Sequence, residues 1–364
     1  MAEDWAARVA RRIAPLALRR SLGLRRGSSV VIEAWSTGLP IAEAIWLAAR
    51  RLGIRPTLIV EPEESSFSAH RLTSAGNATA IGRADFAAVS AGDAYVSVLG
   101  PSDFRRLDAL PRAARRALDE RSREWLRRLH GLRIPKLVFF APSALGADRR
   151  PAAVELGVWR REWERASRVP PAVLRRAARP WIRALRNARR LSIRHRNGTR
   201  LDLGLDGATP VLQDGVVDAR DLAGGWMWTA LPSGLLTVAV DGRRGDGTFV
   251  SNRPARLRAG SVEAIRWTFR SGRLVRHRAG RGAALFEERF RRAGRERTRP
   301  ALISIGLNPA IHDLPLMEDQ ERDVLTLYLG HNDDFGGRTR GTFRMHASLL
   351  GAQIEVDGTP LVRA

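Results

Sequence analysis

The chain has 364 residues, 44% of them hydrophobic and 27% charged, and 62 lysines and arginines against 38 acids give a formal net charge of +24. That length exceeds one ordinary core and predicts two domains. The absence of cysteine excludes disulfides, thiolate nucleophiles and cysteine-ligated zinc.

The chain opens Met1-Ala2-Glu3-Asp4-Trp5, acidic and unlike a signal peptide. The longest apolar stretch, around Leu137-Val138-Phe139-Phe140, is too short to span a bilayer. A cytoplasmic protein without a membrane partner is therefore expected. Ser29 to Trp35 reads as a buried strand. Pro40 to Leu52 reads as a helix, with Ile41, Ile45, Ala48, Ala49 and Leu52 at spacings of three and four, and Gly53 ends it. Thr57 to Val60, Ala94 to Leu99 and Lys136 to Ala141 read as further strands, the last two separated by an Arg-rich helical region from near Ser102. This alternation predicts an α/β layered domain with a mainly parallel sheet.

Residues 148–190 read as helical and basic, broken by Pro170-Pro171. From Leu191 onward the chain reads as short strands punctuated by Arg196-Asn197-Gly198, Asp241-Gly242, Gly245-Asp246-Gly247 and Asp357-Gly358. The expected domains are 1–191, α/β with a helical basic extension, and 192–364, a strand-rich α+β domain. Surplus positive charge favours anionic partners. Here it is almost all arginine, scattered among alanine and leucine, and no aromatic binding motif accompanies it. No nucleic-acid partner is expected, unless Arg112, Arg115, Arg116, Arg160, Arg161, Arg175 and Arg176 share one face.

Several chemistries leave no trace. There is no phosphate loop, dinucleotide fingerprint, His-Glu-x-x-His helix or nucleophile elbow. Gly242, Gly245 and Gly247 read as hairpin turns rather than a phosphate cradle, since no helix follows them.

A resemblance emerges from ordered segments. Ser304-Ile305-Gly306-Leu307-Asn308-Pro309 resembles the Gly-x-Gly-x-Asn-Pro segment of the thermophilic aminopeptidase (aminopeptidase T) family of metallopeptidases. Leu329-Gly330-His331-Asn332 with Phe335-Gly336-Gly337 resembles its next loop. Leu231-Pro232-Ser233-Gly234, Asp246-Gly247-Thr248, Asn197-Gly198-Thr199, Val356-Asp357-Gly358 and the stretch Arg26 to Pro56 follow in the family's order. The resemblance implies a peptidase that releases N-terminal residues using two metal ions held by two Glu, two His, an Asp and a Tyr. Carried over residue by residue, those positions hold Leu235, Leu302, Thr326, His346 and Ser348, with the Tyr position near Asp333. One imidazole among them cannot hold a divalent metal where three or four ligands are usual.

The expected function is therefore a non-catalytic or divergent relative that binds a peptide or amino-acid-like ligand in the former active-site cleft. The resemblance further implies a homodimer. The alternative is an active metal-dependent aminopeptidase with displaced ligands, or a mononuclear-metal enzyme of the same fold, which a ring-cleaving dioxygenase group resembles. Such a site would draw on His312, Asp313, His331, Asp333, Asp334 and His346 and bind zinc, cobalt, manganese or iron. Trp226 and Trp228 would share one side of a strand, either as core packing or as a wall of the ligand cleft.

Overall fold

The structure is a computed structural model that describes residues 4–72, 80–102, 105–140, 142, 155–205, 207, 209–257, 260–312, 314, 317–341 and 343–361. The chain forms two compact units, one of residues 1–168 and 215–233, the other of 169–214 and 234–364.

The first unit is built on parallel strands β1 (Ser29–Trp35), β2 (Arg55–Glu61), β3 (Ala94–Val98) and β4 (Lys136–Phe139). The spatial order is β2-β1-β3-β4, completed by a parallel edge strand at Trp228–Leu231. The first connection, Leu39–Arg51, is the expected amphipathic helix and buries Ile41, Ile45, Ala48 and Ala49. Before the fourth strand the Arg-rich region forms the short helix Arg105–Asp108 and the long helix Arg112–Gly131, with Pro111 between them. Helices at Trp5–Arg12, Glu63–Leu72 and Arg83–Ser90 are additions that the periodicity did not single out. The expected strand end at Ala141 lies outside the described residues.

The second unit is strand-rich. Its strands are β5 (Arg190–His195), β6 (Thr199–Leu205), β7 (Val211–Gln213), β9 (Leu235–Val250), β12 (Arg266–Arg270), β13 (Arg273–Arg278), β14 (Pro300–Gly306), β15 (Val324–Gly330), β16 (Arg344–Leu350), β17 (Gln353–Val356) and β18 (Thr359–Pro360). They form one antiparallel sheet with the main order β16-β15-β14-β9-β6-β5-β17-β18. Between β9 and β12 lies a separate pair, β10 (Ala255–Leu257) with β11 (Gly260–Val262), and β8 is the Trp228–Leu231 strand of the first unit. The core buries Leu236, Val238, Ile303, Ile305, Leu325 and Leu327, alternate residues of neighbouring strands. The fold class is thus the expected one: mixed α/β, with a parallel sheet and a larger antiparallel sheet.

Two expectations change. A single boundary near 192 does not describe the units, because the chain crosses between them three times. The helix Pro171–Leu185 buries Leu174, Ala178, Trp181 and Leu185 in the strand-rich core, and 215–233 returns to supply β8. Of the basic helical stretch, residues 148–154 lie outside the described residues, and the rest is Leu156–Ser167 and Pro171–Leu185. Asp241-Gly242 and Gly245-Asp246-Gly247 are not hairpin turns but lie within the sixteen-residue β9. There Gly247 has φ +118, and a Cβ would overlap the Arg200 carbonyl of the neighbouring strand. Glycine here permits close strand approach rather than chain reversal.

Candidate functional site

Four neighbouring strands of the second unit present one polar face. Register places Ser304 opposite Thr237 and Thr326, and Thr326 opposite Ser348. One step along, Leu302 lies opposite Ala239 and Tyr328, and Tyr328 opposite His346. Because side chains alternate across a strand, Ile303, Ile305, Leu325 and Leu327 face the core on the other side.

The hydroxyls pair among themselves. Thr237 Oγ1 and Ser304 Oγ are 2.7 Å apart, and Thr326 Oγ1 and Ser348 Oγ 2.9 Å. Leu302 is 2% exposed and packs with Ala239, Ala301, Tyr328 and Phe335. Leu235, at the strand end, is partly buried opposite Gly306 and Gln213. The five positions that the resemblance assigned to metal ligands therefore offer two alkyl chains, a closed hydroxyl pair and one imidazole. They do not fit a two-metal centre, which needs several charged or imidazole ligands.

His346 lies beside the Tyr328 ring at 5.8 Å between centroids. Burial first, and the nearby Arg289 second, lower its pKa to about 4 from 6.5. A group that is neutral in the folded chain but protonates in the unfolded one contributes stability above the unfolded pKa and loses it as pH falls to the folded pKa. Relative to His346→Asn, the wild-type chain should lose stability more steeply between pH 6.5 and about 4. Urea midpoints across that window measure this; parallel curves would show that the imidazole is solvated.

The polar face also holds residues that sequence reasoning missed. A loop after β14 brings Asp319 to Tyr328, whose hydroxyl donates to Asp319 Oδ2 at 2.8 Å. Burial raises the Asp319 pKa, and burial followed by the Asp319 charge raises that of Tyr328. Burial raises Glu318 to about 7 against the opposing effect of Arg256, whose Nη1 lies 3.4 Å from its Oε1. Arg253 donates to Glu321 at 2.7 Å. The available signal was the acidic run Glu318-Asp319-Gln320-Glu321, which reads in isolation as a solvated turn.

Of the alternative donors, the structure brings together His331, Asp333 and Asp334, whose ligand atoms all lie within 4.8 Å of one another. His331 Nδ1 is 3.2 Å from Asp333 Oδ1 and 3.7 Å from Asp334 Oδ1. Arg344 joins them through Nη2, 2.5 Å from Asp334 Oδ1 and 3.4 Å from His331 Nδ1. His346 is not in this group, His312 is exposed elsewhere in its loop, and Asp313 lies outside the described residues.

A pocket of about 250 Å³ opens beside Ala239, lined also by Asp241, Gly242, Arg243, Gly337 and Arg338. Arg243 and Arg244 both pair with Asp241, and together with backbone hydrogen bonding they hold its carboxyl below the usual range against the opposing effect of burial. Trp226 and Trp228 belong to the other unit. The expected strand begins only at Trp228, so the two do not alternate within it. Trp228 packs edge-on against Tyr95 at 6.3 Å and beside His130 at 5.8 Å. Of the arginines considered as one face, Arg112, Arg115, Arg116, Arg160 and Arg161 lie in the first unit and Arg175 and Arg176 in the second.

Comparison with solved structures finds the same fold in other proteins. AmpT from Thermus thermophilus is 20% identical over 98% of both chains, with a TM-score of 0.72. The 2,5-dihydroxypyridine dioxygenase from Pseudomonas putida KT2440 is 17% identical over 99% of this chain and 96% of that one, with a TM-score of 0.66. No family model matches the chain, and no curated protein does. The chain has the AmpT fold, as the ordered motifs implied. Among the described residues no helix is long and apolar enough to cross a membrane.

Proposed function

We propose that this chain is a non-catalytic relative of the metal-dependent aminopeptidases that binds a peptide or amino-acid-like ligand on its strand-rich unit. The donor set of the polar face carries this reading: Leu302 is sealed in an apolar cluster and Thr326 is closed on Ser348, leaving His346 as the one imidazole of the set. The pocket beside Ala239 gives such a ligand a place on this unit, its wall carrying Arg338, the Asp241 carboxylate and the Asp241-paired Arg243. A cytoplasmic homodimer without membrane or nucleic-acid partners completes the proposal.

The protein purified without added metal is expected to hold well under one equivalent of zinc, cobalt, manganese or iron by elemental mass spectrometry. It should also bind a dipeptide without cleaving it. Stoichiometric metal lost on His346→Ala, or release of N-terminal residues, would overturn the proposal.

The convergence of His331, Asp333 and Asp334 favours a second reading, a mononuclear metal enzyme. The bond from Arg344 to Asp334 weighs against it, because the guanidinium already neutralises one of the two carboxylates. Metal lost on Asp333→Asn but retained in His346→Ala would select the second reading.

A further inference from the structure

The first unit contains a pocket of about 260 Å³ that the reading of the strand-rich unit does not use. It lies over one face of the parallel sheet at the carboxyl ends of β1 and β2, beneath the helices Arg83–Ser90 and Arg112–Gly131. Glu33 and Trp35 share a face of β1 because they are two residues apart. Register sets Ile59 opposite Glu33 and Glu61 opposite Trp35. Asp85 comes from the first helix, and Arg121 and Trp125 from the second. In open parallel sheets, ligands bind outside the carboxyl ends of the strands.

The charge in this pocket runs against the rest of the molecule. The chain carries +24, yet the pocket is lined by three carboxylates, Glu33, Glu61 and Asp85, against the single guanidinium of Arg121. Two of those carboxylates have capacity to spare. Glu33 Oε2 accepts from the Tyr95 hydroxyl at 2.6 Å, and among the described residues Glu33 Oε1 and the Asp85 carboxylate have no hydrogen-bond partner. Glu61 Oε1 accepts from Ser66 Oγ. Apolar and aromatic surface is supplied by Trp35, Ile59, Leu118 and Trp125, and Ser122 adds a hydroxyl. The aromatics are fixed by their neighbours, Trp35 against Phe67 at 5.9 Å and Trp125 against Phe86 at 6.2 Å. Gly100 lies against the Trp35 ring so closely that a Cβ there would overlap it.

The segments leaving these strands are joined by a further carboxylate outside the pocket lining. Glu63, 3% exposed, accepts from Thr37 Oγ1, Ser102 N and Ser102 Oγ and pairs with Arg106. One buried carboxylate thus ties together the segments that follow β1, β2 and β3.

We infer that this pocket binds a small organic cation, a primary ammonium group carried on an apolar body, with Glu33 and Asp85 receiving the ammonium and Trp35, Ile59 and Trp125 covering the body. A cation on an aromatic wall gains from the ring quadrupoles as well as from the carboxylates. A bare divalent metal suits the pocket less well. Among the described residues, the group of three acidic and imidazole ligand atoms that all converge within 4.8 Å is His331, Asp333 and Asp334; the three pocket carboxylates do not form such a group. The volume admits roughly eight waters, or an amine with about that many non-hydrogen atoms.

The test is a calorimetric titration of the full chain with primary amines from butylamine to tryptamine. Each is set against its neutral alcohol, as 2-phenylethylamine against 2-phenylethanol, and phenylacetate supplies the anion. At least one amine should saturate below about 10 mM and bind at least about tenfold more tightly than its alcohol. Glu33→Gln and Asp85→Asn should each weaken it severalfold, whereas Asp246→Asn in the other unit should leave it unchanged. Melting curves of Glu33→Gln, which keeps an acceptor for Tyr95, show whether that variant is folded. Equal binding of the alcohol or of phenylacetate, saturation by no amine in the series, or unchanged binding in the folded Glu33→Gln, Asp85→Asn double variant would each overturn the inference. None of these outcomes depends on whether the strand-rich unit binds a peptide or a metal.

Discussion

Leu302→Glu should destabilise the strand-rich unit by about 3–5 kcal/mol at neutral pH, the range for an uncompensated buried charge. Leu302 is 2% exposed and packs with Ala239, Ala301, Tyr328 and Phe335, none of which carries a positive charge. The introduced carboxyl would also lie on the face where Asp319 is already raised in pKa by burial. The new group should therefore titrate well above the ordinary glutamate value. Its folded pKa being the higher one, the deficit is smallest below the unfolded pKa and grows as pH rises toward the folded pKa. Calorimetric melting should show a fall of roughly 10 °C near pH 8 and a smaller one near pH 4. An unchanged midpoint at pH 8 would place position 302 in solvent. Stabilisation by added zinc would show that a carboxylate here rebuilds a metal site.

Gly306→Ala should cost about 3 kcal/mol, the upper range for forcing atoms into a packed site. A Cβ at 306 would overlap the carbonyl oxygens of Glu321 and Asp319. The loop carrying those residues would have to lift, straining the bond from Asn308 N to Gln320 O at 2.9 Å and that from Tyr328 to Asp319. Because both changes act through one loop, Gly306→Ala and Tyr328→Phe should be non-additive in denaturant unfolding. Gly131→Ala, where a Cβ meets nothing within 4 Å, should change stability by about 0.5 kcal/mol or less. Additive costs for the first pair would separate Gly306 from the Asp319 loop.

Much of the parallel sheet was legible from local pattern. Ser29 to Trp35, the helix after it and the strand at Lys136 are continuous apolar or periodic runs, and burial of one face leaves such segments little choice of structure. The ordered glycine and asparagine motifs from Asn197 to Gly358 pointed to the fold as well. Gly306 shows why such a motif is readable: its requirement is steric and local.

Other features depended on partners distant in sequence. Trp228–Leu231 becomes the edge of the first sheet only because β4, some ninety residues earlier, presents it with a free edge. Gly242, Gly245 and Gly247 look like turns in any short window; the Arg200 backbone pressed against Gly247 makes them part of a strand. Asp319 and Tyr328 are nine residues apart with nothing in the sequence to join them. Glu33 and Asp85 face one pocket only once two helices fold over the sheet. Composition and periodicity determined which segments form strands and helices, since those depend on neighbours within a few residues. The pairing of buried carboxylates with hydroxyls, the closing of Thr326 on Ser348 and the acidic pocket in a basic chain were decided by tertiary structure, because burial and the Coulomb energies that follow from it exist only where distant segments exclude water together.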